Sequence, residues 1–186
     1  MISIKGSVLR TRLALVEELA PGDGLKRVLA RLTSQEREVL GSLLASAWYP
    51  FDLGKRLDEA IVHELGGGRA EFFERLGAAS AEKNLGAGGV HRGFLVPGDP
   101  QVFLAKTPLI YSYYYSEGRR DYEKVGDKEA VLTTRDAETF SAPDCLTVVG
   151  WYRRALEMCG AQAPRVVEEE CRAKGGAVCR YRLSWQ

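Results

Sequence analysis

Apolar residues recur at helical spacing through most of the first 115 positions and at strand spacing over much of the remaining chain. Val8, Leu13, Leu15, Val16 and Leu19 mark a helix over residues 6–20, stopped by Pro21-Gly22-Asp23-Gly24. A second helix runs from Leu25 to Leu32. Thr33 and Glu36 then form a capping-box pattern that opens a third, carrying Val39, Leu40, Leu43 and Leu44. Trp48-Tyr49-Pro50-Phe51 reads as an aromatic corner, because Pro50 disfavours helix at and before its own position. Asp52 caps the next helix, residues 53–65, whose inward stripe is Leu57, Ala60, Ile61 and Leu65. Gly66 to Gly68 end it, and a further helix spans Arg69 to Leu85 before the break Gly86-Ala87-Gly88-Gly89.

Residues 101–115 hold Phe103, Leu104, Leu109 and Ile110, then Tyr111, Tyr113, Tyr114 and Tyr115, with Pro108 as a kink or a division between two elements. So much aromatic surface with hydroxyl handles suits a pocket wall or an interface, and core packing accounts for it equally. Residues 120–125 and 129–134 flank Gly126-Asp127-Lys128 as a hairpin. A helix from Asp144 to Cys159 comes next, and a second hairpin pairs residues 165–171 with 178–183 around Gly175-Gly176. The fold class is therefore α+β in one domain, 1–186. It is an N-terminal helical bundle packed on a small antiparallel sheet of about four strands, with one long helix between the two hairpins.

Three of the four cysteines, Cys145, Cys171 and Cys179, belong to the terminal hairpin or to the start of the helix before it. A turn centred on Gly175 sets Cys171 opposite Cys179, near enough to share a metal or a disulfide. Regular alternation then puts Val167, Tyr181 and Leu183 on the cysteine face and pairs Glu168 with Arg182 and Glu170 with Arg180 on the other. Glu168 and Cys171 reach one ion only if a bulge intervenes or the strand ends before Cys171, whereas Glu169 lies on the cysteine face by simple register. Cys145 sits in the first turn of its helix behind Asp144 as N-cap, where the helix dipole favours a thiolate. Cys159 shares the helix's apolar stripe, but about 21 Å of helix separates the two, so they cannot bind one ion. Buried apolar cysteines and a Glu168–Arg182 pair explain the same residues without any metal.

The arrangement Cys145-x22-Glu168-x2-Cys171-x7-Cys179 resembles the zinc site of the 4-vinyl reductase-type ligand-binding domain, which also serves as the sensor domain of phenol-responsive activators. The whole chain also resembles an uncharacterised paralogous bacterial family with distant relatives among trafficking-particle subunits. The resemblance implies a structural zinc held by Cys145, Glu168, Cys171 and Cys179. It implies a neighbouring pocket for an apolar or aromatic molecule and a homodimer; the candidate ligand-contacting residues, chosen for their aromatic character, are Tyr111, Tyr113, Tyr114 and Trp151. The motif covers only the C-terminal fifth, and the ATPase and DNA-binding domains that the activators carry are not expected here.

Composition narrows the remaining choices. A 186-residue chain with 45% hydrophobic residues can bury a sizeable core. Its net charge of +1 gives no electrostatic reason to expect nucleic acid or an acidic membrane as partner. Lys5, Arg10, Arg12 and Glu17 interrupt the N-terminal apolar residues, and no apolar run approaches the roughly 18–20 residues of a membrane span, so a cytoplasmic location is expected. His63 and His91 have no neighbour at catalytic or metal spacing and read as satisfied or exposed, and no nucleophile motif appears. The expected function is a non-catalytic sensor domain rather than an enzyme. The alternative is a protein–protein assembly subunit whose pocket is filled by its own side chains.

Overall fold

The computed structural model describes residues 2–67, 69, 71–137 and 142–186. Strand β1 (Ser3–Lys5) runs directly into helix α1 (Gly6–Leu19), followed by α2 (Gly24–Ala30) and α3 (Ser34–Gly41). The capping box at α3 is complete: Glu36 N–H donates to Thr33 Oγ1 at 3.2 Å, and Thr33 N–H donates to the Glu36 carboxylate at 2.8 Å. Strand β2 (Trp48–Pro50) then pairs antiparallel with β1, Ile4 opposite Tyr49. The aromatic corner is thus a strand, because Ser3–Lys5 gives its backbone partners before α1 begins.

Helix α4 (Phe51–Glu64) starts two residues earlier than expected. Pro50 is its N-cap, and Asp52 lies in its first turn instead of capping it. Helix α5 (Phe72–Leu85) keeps its predicted end but begins later than Arg69. Residues 100–114 divide into α6 (Pro100–Ala105) and α7 (Thr107–Tyr114), so Pro108 opens a helix, where its missing N–H costs nothing. Asp99 caps α6 by accepting from Val102 N–H at 2.9 Å.

Strands β3 (Arg119–Gly126) and β4 (Glu129–Arg135) form the first hairpin, helix α8 (Ala142–Met158) comes after it, and β5 (Arg165–Glu170) with β6 (Cys179–Ser184) forms the second. The four strands lie in the order β3-β4-β6-β5, all antiparallel, with α8 connecting the two hairpins. This is the α+β architecture expected, with a second, two-stranded sheet that periodicity does not reveal. Helix α8 packs on α5 at one side and on β5 and β6 at the other. It is therefore the layer between bundle and sheet, and Val149, Tyr152, Ala155 and Leu156 bury its inward stripe. No helix among the described residues is long and apolar enough to cross a membrane.

Candidate functional site

The terminal hairpin meets both conditions named for Glu168: a bulge in β5, and a strand end at Glu170, before Cys171. Register shifts between Glu168 and Glu170 against β6, so Glu168 faces Tyr181, Val167 faces Arg182 and Glu170 faces Arg180. Along β5, Val166 is buried, Val167 is exposed, and Glu168 turns inward. The predicted Glu168–Arg182 pair does not form. Glu169 pairs with Arg182, while Glu168 is held by Lys174.

Cys171 lies just beyond the strand's end, and its sulfur is 3.5 Å from that of Cys145, which in turn lies 3.9 Å from that of Cys179. All three thiols are buried. Sharing a hydrogen bond with Cys145 brings Cys179 down to about 7 and drives Cys145 far above the usual thiol range, while burial raises Cys171. Asp144 is not an N-cap. It lies within the first turn of α8, and its carboxylate accepts from Arg12 Nη2 at 3.1 Å.

That Arg12 guanidinium, on α1, also bonds Asp58 of α4, so one buried cation joins three helices. Burial, set against Arg12, pushes Asp58 up to about 7, since one cation faces two buried carboxylates.

Beside these groups lies a cavity of about 600 Å³ bounded by α1, α5, α7, α8 and the sheet, with residues 88–91 at its edge. Tyr111, Tyr113, Tyr114 and Trp151 all line it, as do Tyr115, Tyr152 and Tyr181. The tyrosine run is therefore a pocket wall. Cys145 and Cys179 reach the same space, so the thiol cluster is part of its lining. Phe103 backs Trp151, ring centroids 6.2 Å apart, and fixes the indole against the cavity.

His91, expected to be satisfied or exposed, is neither. Its side chain is buried at the cavity among Phe94, Tyr113 and Tyr114, with ring centroids 5.2–5.7 Å away. Its Nε2 and the Tyr114 hydroxyl have no hydrogen-bond partner among the described residues. Burial lowers the His91 pKa and keeps the ring neutral. Arg120, on β3, is buried at the same cavity. Sequence reasoning passed over both because a lone histidine after a glycine run, and an arginine in a charged strand, look like surface residues. The available signal for Arg120 was alternation, which sets it on the same face of β3 as Tyr122.

In solved structures the chain is similar to H-NOX domains. The Fe(II) unliganded H-NOX protein from K. algicida matches with a TM-score of 0.71 at 12% identity, over 98% of this chain and 96% of that one. A mutant H-NOX from T. Tengcongensis gives 0.73 at 12% identity, over 98% and 97%. A structure described as probing heme distortion in the H-NOX family gives 0.74 at 12%, over 98% and 95%. At such identities the likeness shows a shared fold. It corrects the resemblance to the 4-vinyl reductase-type domain, because these fold neighbours are H-NOX domains and share the chain from end to end. The structural zinc falls with it. These fold neighbours are described by iron and heme, and Glu168, the fourth ligand that the resemblance implied, is drawn to Lys174, although the sulfurs of Cys145, Cys171 and Cys179 lie within 4.8 Å of one another. No curated protein matches the chain. The profile of one family, described as a protein of unknown function (DUF2378), matches residues 49–186, and the chain belongs to that family.

Proposed function

We propose that the chain is a non-catalytic binding domain for a small apolar or aromatic molecule, held in the cavity between the bundle and the sheet. The cavity itself carries this reading: about 600 Å³ falls within the roughly 300–1,000 Å³ range of small-molecule sites, and aromatic rings make up much of its wall. Tyr111, Tyr113, Tyr114 and Trp151 are the proposed contacts. The cavity is open where the assembly-subunit alternative requires side chains to fill it, which supports the sensor reading over that alternative. The test is a thermal-shift and tryptophan-fluorescence screen with small aromatic molecules, using Trp151→Phe to isolate the cavity signal. Absence of any shift or Trp151-dependent quenching across the panel would refute the reading.

His91 supports a second reading. Haem iron is held in many proteins by one proximal imidazole, and His91 offers a buried, neutral, unpaired Nε2 at the cavity. The donor fits a single axial ligand. His91 would hold the iron, which when bound supplies reversible attachment of a diatomic gas. Haem titration followed by absorbance distinguishes this: a spectrum indifferent to His91→Ala sinks it. A homodimer is also proposed, supported by the exposed Leu44 and Trp48 close together in the chain, and light scattering decides it.

A further inference from the structure

The two buried arginines of the cavity wall are not equivalent. Arg12 faces Asp58 and Asp144. Arg120, only 8% exposed, bonds neutral groups alone: Nε and Nη2 donate to Thr134 Oγ1 at 3.1 and 3.0 Å, and Nη1 donates to the Tyr152 hydroxyl at 3.1 Å. The rings of Tyr111, Tyr152 and Tyr181 surround its guanidinium, with centroids 5.1, 5.5 and 6.0 Å away. Among the described residues no carboxylate lies within ion-pair distance of it. A guanidinium remains charged at any physiological pH, and a buried charge without a counter-ion is costly. Ring faces offset part of that cost, and they do not replace an anion.

We infer that the ligand of this cavity carries a carboxylate that pairs with Arg120, its apolar body lying against the tyrosines and Trp151. This rests on the small-molecule reading and deepens it. Arg120, Thr134, Tyr152 and Tyr181 all line the cavity, so an occupant reaches the guanidinium directly. Three of five guanidinium N–H groups are used, leaving two for an incoming acid. Of the other cations that line the cavity, Arg12 and Lys83 are paired with carboxylates and Lys5 lies over the Trp48 ring, so Arg120 with its two free donors suits a monoanion, and a phosphate dianion would remain undersatisfied. The unpaired Tyr114 hydroxyl can donate to a second polar atom of the same molecule.

The experiment compares 2-naphthoic acid with its neutral isostere 2-naphthamide, and with 2-naphthyl phosphate, by calorimetry on the full chain. The acid is expected to bind at least ten-fold tighter than the amide and tighter than the phosphate. Arg120→Gln should abolish the preference, while Arg120→Lys retains part of it. Equal affinity of acid and amide overturns the inference but leaves the cavity reading intact, and tighter phosphate binding overturns the choice of carboxylate. A preference that survives Arg120→Gln removes Arg120 from the site. Failure of all three probes on the wild-type chain overturns both readings, and the wild-type acid–amide comparison needs no variant to fold.

Discussion

Gly77 of α5 and Gly150 of α8 each stand against the other helix's backbone. A Cβ on Gly77 would meet Thr147 O at 2.1 Å, and one on Gly150 would meet Glu74 O at 1.9 Å. Neither position requires a positive φ, so close approach alone demands glycine. The α5–α8 contact sets how wide the cavity opens, because Leu76, Gly77, Val148 and Trp151 on these helices all line it.

Gly150→Ala is therefore expected to destabilise the protein by about 1–3 kcal/mol or more, the usual cost of overpacking. Gly41→Ala, at the end of α3 with nothing within 4 Å of its added Cβ, should be neutral or slightly stabilising. Urea unfolding of the two variants checks this, and equal losses would refute it.

Arg12→Met should cost about 3–5 kcal/mol, because it leaves Asp58 and Asp144 buried without their shared cation. Adding Asp58→Asn should restore part of that loss, since the pair shares one network. A double variant as unstable as the sum of both singles would show that the triad is not coupled.

His91 makes stability depend on pH. Its folded pKa is lowered by burial, so the unfolded chain takes up a proton near pH 6.5 that the folded chain refuses. The stabilisation is full above about pH 6.5 and is lost as pH falls toward the lowered folded value. On going from pH 7.5 to 5.5, His91→Gln should lose less melting temperature than the wild-type chain; the opposite contribution of Asp58, whose folded carboxyl is raised to about 7, is common to both.

Cys145→Ala and Cys159→Ala should now cost similar amounts, about 1–2 kcal/mol each, since both thiols are fully buried small side chains. A structural zinc would have made Cys145→Ala much the worse of the two. Thermal melts of both variants decide the point.

Much of the fold was legible before any coordinates. The stripe Leu57, Ala60, Ile61, the Thr33–Glu36 capping box and the glycine-bearing hairpin turns are local signals, and local hydrogen bonding with apolar burial realises each where the spacing puts it. The strand nature of Trp48–Pro50 was not legible, because it depends on pairing with Ser3–Lys5 more than forty residues away. The inward turn of Glu168 was foreseen only up to a condition, a bulge in β5 or an end to the strand before Cys171, which is set by how the strand meets β6.

By itself the sequence determined the types of the longer helices and of the four strands of the main sheet, the α+β class and the aromatic character of residues 111–115, since periodicity and composition are properties of neighbours in the chain. Tertiary structure alone decided that those tyrosines wall a cavity, that Glu168 rather than Glu169 turns inward, that His91 lacks a partner for Nε2, and that Arg12 has carboxylates where Arg120 has only hydroxyls and rings. Whether a buried polar group is paired is a fact about distances between elements far apart in sequence, and no spacing along one chain encodes it.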